Sequence, residues 1–127
     1  MLIAPPGESG GDVKAMLGRF DWIRYDRGTT SGAMAARYVR RLLPDKRSAL
    51  ELDGVTAIVA MVSAGFGVSV IQLMDPAVCE RYPVKVIRLG ADAPQLQMSI
   101  VIRKGDEDRR ALLAVCDAMR RVAQRLG

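Results

Sequence analysis

The segment that decides the fold is Glu51-Leu-Asp-Gly-Val-Thr-Ala-Ile-Val-Ala-Met-Val-Ser-Ala-Gly-Phe-Gly-Val-Ser-Val-Ile71. Its apolar residues from Val55 to Val62 recur at helical spacing and cover every face, which is typical of a buried helix. Gly65 stands where a left-handed C-cap is expected, and Phe66 to Leu73 has the β-branched character of a strand covered on both sides. The segment therefore predicts a buried helix that leads into a parallel strand.

The composition favours a single compact domain. With 127 residues, 50% of them hydrophobic, the chain can form one core but is too short for two ordinary domains. Its apolar runs are much shorter than the roughly 18 to 20 residues of a membrane span, and the N-terminus has no recognisable signal segment. We therefore expect no membrane partner.

The cysteine content bears on the compartment. Cys79 and Cys116 are the only cysteines, and they form no paired motif. Cys116 lies on the apolar stripe of a predicted helix, where a thiol behaves as a small hydrophobic group. Two unpaired thiols are therefore favoured over a disulfide, which predicts a protein of the reducing cytoplasm.

The net charge of +5 raises the question of nucleic-acid binding. The basic residues are scattered, aromatic residues make up only 5% of the chain, and no helix-turn-helix, zinc finger or stacking platform is recognisable. The pattern instead indicates arginine-rich helices with solvated outer faces. We therefore do not expect this chain itself to bind DNA.

Around the opening segment, strand and helix patterns alternate. Strands are predicted at about residues 2–4, 22–26, 49–52, 67–73, 84–89 and 96–103. Helices are predicted at about residues 11–17, 29–43, 54–64 and 76–82, and from residue 105 to the end. The β-α-β-α-β order implies right-handed crossovers, and hence an α/β fold around a mainly parallel sheet.

The last predicted helix carries a regular apolar stripe. Its members are Leu112, Val115, Cys116, Met119, Val122, Ala123 and Leu126. Acidic residues open this helix at its positive end, and arginines lie away from the stripe. The pattern predicts an amphipathic helix that covers a sheet.

The sequence argues against catalysis. It contains no histidine, which removes the usual general base, the Ser-His and Cys-His nucleophile pairs, and most zinc and iron ligand sets. No Ser-x-x-Lys spacing occurs, and Asp106 and Asp108 are better explained by their place at a helix start. We predict a protein that is not an enzyme and uses no metal or cofactor.

A binding function remains, and the first candidate site is a helix start. In an open parallel α/β sheet, ligands bind beyond the carboxyl ends of the strands, where helix N-termini present free N–H groups. Thr29, Thr30 and Ser31, with Arg24 or Arg27 nearby, would suit a carboxylate or another small anion. The alternative is an ordinary Thr or Ser N-cap beside a loop arginine.

The second candidate site is the helix start from Asp53 to Thr56. Its alternative interpretation is a helix that is simply capped by Asp53. Phe66, between two glycines, either forms the wall of a pocket or fills the core.

Several segments in a fixed order resemble a known family. They are Phe20-Asp-Trp-Ile-Arg-Tyr-Asp-Arg27, the block from Leu50 to Ile71, Pro83-Val-Lys-Val-Ile-Arg-Leu89 and Met98-Ser-Ile-Val-Ile-Arg103, with the amphipathic helix after them. Together they resemble the later part of the effector-binding domain of LysR-type transcriptional regulators. The helix-glycine-strand block is the specific part of the resemblance.

The resemblance implies a three-layer α/β fold like that of type II periplasmic binding proteins, in which two subdomains hold an effector between them. Residues 1–127 then form a partial effector-binding domain, with a complete second subdomain at about 5–80 and returning strands and helix of the first at about 81–127. On this alignment the chain begins near the first crossing strand. The helix-turn-helix domain through which such regulators contact DNA is then absent from it.

The resemblance also assigns residues to the second subdomain's side of the effector site. They are Thr29, Thr30, Ser31, Asp53, Thr56 and Phe66. The implied function is non-catalytic sensing of a small anionic metabolite in a transcriptional regulator. The alternative is a stand-alone α/β protein that binds small anions, or a small enzyme on a similar sheet.

The same alignment predicts an assembly. The strands at 84–89 and 98–103 and the last helix would lack part of the sheet that they cover, which leaves apolar surface and strand edges exposed. Domains of this family also form side-by-side dimers. We therefore predict a homodimer or a strand-exchanged assembly.

Overall fold

The computed structural model describes residues 1–126 of the chain, with side chains described as far as residue 124. Its elements are β1 (Leu2–Ala4), α1 (Val13–Arg19), β2 (Trp22–Tyr25), α2 (Thr30–Leu42), β3 (Ser48–Leu52), α3 (Val55–Ser63), β4 (Ser69–Val70), α4 (Val78–Arg81), β5 (Lys85–Ile87) and α5 (Arg110–Leu126). They fall into two compact units, residues 1–95 and residues 96 onward.

The predicted end of α3 at Gly65 is confirmed, but the strand after it, β4, is shorter than the predicted residues 67–73 and pairs antiparallel with β1. Gly65 has a φ of +86°, and its N–H donates to the carbonyl of Val62 at 3.0 Å. The N–H of Phe66 donates to the carbonyl of Met61 at 3.1 Å. These two bonds are the Schellman pattern, which ends a helix through a left-handed glycine.

The predicted mainly parallel sheet is mixed. β1 lies between β4 and β5 and is antiparallel to both, whereas β2 and β3 are parallel. A single parallel bridge from Trp22 to Val68 connects β2 to the segment that leads into β4. The prediction was wrong because it assumed that consecutive strands pair. β1 instead pairs with strands more than sixty residues away, and local alternation carries no information about such partners.

Helices pack on both faces of these strands in residues 1–95. Leu2 and Ala4 contribute to one core and Ile3 to the other, as expected when successive side chains point to opposite faces. The first core includes buried residues of α1 and α2, and the second is formed largely by Ile58, Val59 and Val62 of α3. The helix predicted to be buried therefore buries one face, while Ala57 and Ala64 remain exposed.

The strand predicted at 96–103 is not formed. No strand occurs among residues 88–126, and the residues from 96 to 109 contain only turns and irregular backbone. Alternation alone cannot make a strand, because its N–H and C=O groups need a neighbouring strand. Such a neighbour is not present among the described residues of this stretch.

The last helix forms, but its stripe is largely uncovered. α5 begins at Arg110, a few residues after the predicted start. Val115, Met119 and Val122 are each more than half exposed, and only Cys116 of the stripe is buried. The expected cover over this stripe is therefore not found in the described part of the chain; the side chain of Leu126 lies outside it.

Two further observations concern the cysteines and the apolar character of the helices. Cys79 and Cys116 are both free thiols, as predicted. None of the described helices is both long enough and apolar enough to cross a membrane.

Candidate functional site

The parallel pairing of β2 and β3 brings two helix starts to one edge of the sheet. Tyr25 at the end of β2 is in register with Leu52 at the end of β3. The N–H of Asp26 then donates to the carbonyl of Leu52 at 2.9 Å, which continues the pairing beyond the strands. Because each strand is followed by a helix after a short turn, the starts of α2 and α3 both lie at this edge of the sheet, α2 on one face and α3 on the other.

Thr29 caps the first helix start. Its Oγ1 accepts a hydrogen bond from the N–H of Gly32 at 3.0 Å and donates to the carbonyl of Asp26 at 2.8 Å. The Asp26 carboxylate accepts from the N–H of Gly28 at 2.8 Å. The ordinary-cap alternative is therefore correct for Thr29, whose side chain is already used by the fold.

Thr30 and Ser31 are in a different position from Thr29. Thr30 is exposed and Ser31 is half-buried, and neither hydroxyl has a hydrogen-bond partner within residues 1–126. Their backbone N–H groups are also without protein partners, since the first intrahelical bond of α2 is from Ala33 to the carbonyl of Thr29 at 2.9 Å. This helix start can therefore donate to a ligand through two N–H groups and two hydroxyls.

Gly32 allows the loop to close onto α2. A Cβ built at this buried position would lie 2.0 Å from the carbonyl oxygen of Asp26. No side chain fits there. The turn that presents Thr30 and Ser31 therefore depends on glycine at this position.

The second helix start is uncapped. The N-cap of α3 is Gly54, with no side-chain hydrogen bond, and Asp53 is exposed without a bonding partner in the described structure. The interpretation of Asp53 as an N-cap was therefore wrong. The N–H groups of Val55, Thr56 and Ala57 have no protein acceptor, because the first intrahelical bond is from Ile58 to Gly54 at 3.0 Å.

The two arginines predicted to serve an anion are held by Glu51. The Arg24 guanidinium donates to the Glu51 carboxylate. The backbone N–H of Arg27 donates to the other carboxylate oxygen at 3.2 Å, with the Arg27 Nε at 3.9 Å. The hydrogen bond from Arg24 is the main reason that the pKa of Glu51 lies below its ordinary value. The Arg24 guanidinium is therefore occupied by Glu51, whereas the Arg27 side chain is 74% exposed and can still reach a ligand.

The sequence analysis missed Glu51, although a signal was present. Arg24 and Glu51 are directly opposite each other in the β2–β3 register, where unlike charges attract. Aligning the predicted strands 22–26 and 49–52 by their carboxyl ends places Arg24 opposite Leu50, one residue out of register, so the pair is found only when β2 ends at Tyr25.

Phe66 lies at the other end of the sheet. The N–H of Val68, two residues on, donates to the carbonyl of Asp21 at 2.9 Å, next to the amino end of β2. The length of β2 separates the two ends by about 10 Å. Phe66 is 62% exposed, so it neither fills the core nor approaches the paired helix starts.

The two helix starts can bind a ligand that has both an anionic group and a hydrogen-bond donor. Five backbone N–H groups lie at the starts of α2 and α3, which carry partial positive charge at these ends. The carboxylates of Asp26 and Asp53 flank them and can accept hydrogen bonds from a ligand. No cluster of three or more metal-ligating side chains occurs in the part of the chain that the structure describes.

A family model described as the LysR substrate binding domain matches residues 1–124. No curated protein is significantly similar to the chain.

Proposed function

The chain belongs to the LysR substrate binding domain family, and we propose that it is the effector-sensing part of a LysR-type transcriptional regulator. The family match covers nearly the whole chain, and the α/β fold agrees with it. The observation that carries the proposal is that two helix starts with free N–H groups follow the paired carboxyl ends of β2 and β3. Recognition of DNA is assigned to a helix-turn-helix domain, not to these residues.

The proposed effector site contains five of the six residues assigned from sequence. Thr30 and Ser31 supply hydroxyls and N–H groups, Thr56 supplies an N–H group and an exposed hydroxyl, Asp53 faces solvent beside them, and Thr29 holds the first start in place. Phe66 is left out of the proposed site because it lies at the opposite end of β2.

The proposed effector is a small carboxylate that also carries a hydroxyl or amino group. The carboxylate would accept hydrogen bonds from the free N–H groups. The hydroxyl or amino group would donate to Asp53, whose negative charge disfavours a ligand made only of anionic groups. The family's function is regulatory, and with no histidine in the chain we propose neither catalysis nor a cofactor.

We also propose that the chain forms a homodimer in the cytoplasm. The exposed side chains of Val115, Met119 and Val122 make a continuous apolar stripe along α5, which is costly to leave in water. Two free thiols are consistent with a reducing compartment.

Thermal shift with a panel of small hydroxy- and amino-carboxylates tests the effector site. We expect at least one compound to raise the melting temperature of the chain, because ligands that bind the folded state stabilise it. The rise should disappear in the double variant Thr30→Ala and Ser31→Ala. The control Ser9→Ala, an exposed serine outside the site, should keep the full rise. A rise that persists in the double variant would contradict the proposed site.

A further inference from the structure

A cavity lies between α2 and the loop at residues 90–94, within the first compact unit. Its volume is about 190 Å³. Its lining residues are Met34, Arg37, Tyr38, Arg41, Asp92 and Pro94. Four of the six lie on successive turns of α2, so one side of the cavity is a helix face.

The cavity is open to solvent, and contacts between the helix and the loop bound one side of it. One guanidinium nitrogen of Arg41 donates to the Asp92 carboxylate at 2.7 Å and to the Asp92 carbonyl at 2.8 Å. The same guanidinium stacks over the Tyr38 ring at 5.3 Å, and Tyr38 is only 4% exposed. Arg41 therefore links the loop to the buried ring of Tyr38.

The charges of the lining do not cancel. Asp92 is paired with Arg41, but Arg37, one turn earlier on the same face, has no ion-pair or hydrogen-bond partner among the described residues. The lining of the cavity thus carries one unpaired positive charge. Met34, Pro94 and the Tyr38 ring supply apolar wall beside it.

The size of the cavity limits the ligand. A volume of about 190 Å³, open on one side to solvent, has room for one ring or a short branched chain. We propose that this cavity is a second ligand site, which binds a small aromatic or branched aliphatic carboxylate. The hydrocarbon part packs against Met34, Pro94 and Tyr38, and the carboxylate pairs with Arg37.

This site is separate from the proposed effector site. Arg37 lies two turns along α2 from Thr30, a distance of about 10 Å along the helix axis. The two sites also differ in chemistry, since one uses backbone N–H groups and the other a guanidinium beside an apolar wall. A ligand here would act on the loop at 90–94 and on the middle of α2.

The test is fluorine NMR of para-fluorobenzoate with the full chain. We expect saturable line broadening, and binding that is at least about tenfold weaker for Arg37→Gln, because a charge-assisted pair is lost. Arg40→Gln is the matched control: it removes the same charge from an exposed position on α2 that does not line the cavity. Its binding should match that of the unchanged chain. The neutral analogue para-fluorobenzyl alcohol should bind at least about tenfold more weakly than the acid.

Several outcomes would overturn the proposal. They are the absence of saturable binding, equal binding by Arg37→Gln and the unchanged chain, and equal weakening by Arg40→Gln, which would indicate a general charge effect. The double variant Thr30→Ala and Ser31→Ala separates this proposal from the effector site. It should bind para-fluorobenzoate normally. If it does not, the probe occupies the effector site and the second site is refuted, while the effector proposal stands.

Discussion

Residues 1–95 and residues 96 onward both carry regular hydrophobic patterns, but only the first set buries most of its apolar side chains. Strands and helices of the first unit enclose two cores, and Ile3, Ile58 and Val59 are completely buried. In the second unit α5 has the stronger amphipathic pattern, yet three members of its stripe are more than half exposed. A periodic pattern therefore determines which face can be buried, whereas burial itself requires a partner surface.

Two glycines with positive φ give the largest expected contrast between the units. Gly67 has φ +153°, and a Cβ there would lie 2.4 Å from the carbonyl oxygen of Asp21; Gly105 has φ +94° and open space around it. We expect Gly67→Ala to destabilise the fold by about 3 kcal/mol and Gly105→Ala by about 1 kcal/mol, because only the first adds a collision to the backbone strain. Urea denaturation measures both. Equal losses would mean that the first unit is packed no more tightly than the second.

A matched pair of helical valines gives the next contrast. Val62 on α3 is fully buried and Val122 on α5 is exposed. Val62→Ala should cost about 2 kcal/mol of unfolding free energy, since it removes two buried carbon atoms and leaves a cavity. Val122→Ala should change it by less than about 0.5 kcal/mol. A large loss for Val122→Ala, measured by denaturation at low protein concentration, would show that α5 is already covered within one chain.

The exposed stripe of α5 should matter for assembly instead. Val115→Glu combined with Met119→Glu places charge on the apolar face, and we expect the dimer to dissociate at least about tenfold more readily, which is about 1.4 kcal/mol. Gln124→Glu adds charge away from the stripe and should leave the dimer unchanged. Sedimentation velocity over a concentration series measures both variants. A dimer that survives the double substitution would place its interface elsewhere.

The smallest expected change in stability comes from the ion pair between Arg24 and Glu51, and it depends on pH. The hydrogen bond from Arg24 lowers the pKa of Glu51, so the pair stabilises the fold fully above the ordinary value of 4.5. This contribution is lost as the pH falls through the lowered pKa. Glu51→Gln should therefore be slightly less stable than the unchanged chain at neutral pH and equally stable in strong acid. Thermal melts across this range measure the difference; a constant difference at all pH values would contradict the assignment.

Sequence reasoning succeeded where structure is local. The limits of α2 and α3, the left-handed Gly65 and the Thr29 cap follow from residues within a few positions of one another. The parallel pairing that the β-α-β order predicts is confirmed for β2 and β3, and it brings both helix starts to one edge of the sheet.

Sequence reasoning failed where distant segments meet. Three interactions were not predicted: the antiparallel pairing of β1, the ion pair of Arg24 with Glu51, and the bonds from Arg41 to Asp92 in the 90–94 loop. Each joins residues at least 27 positions apart. The predicted Asp53 cap was wrong for a local reason. Helix α3 begins at Val55, one residue later than a cap at Asp53 requires. The strand predicted at 96–103 does not form, because this segment has no neighbouring strand to pair with in the described structure.

The central claim is that the paired starts of α2 and α3 form the effector site, and backbone amide NMR tests it most directly. A carboxylate that raises the melting temperature would be titrated into the isotope-labelled chain. The account predicts that the largest saturable shifts are those of the amides of Thr30, Ser31, Val55, Thr56 and Ala57. Saturable shifts confined to other residues, with these five amides unchanged, would contradict it.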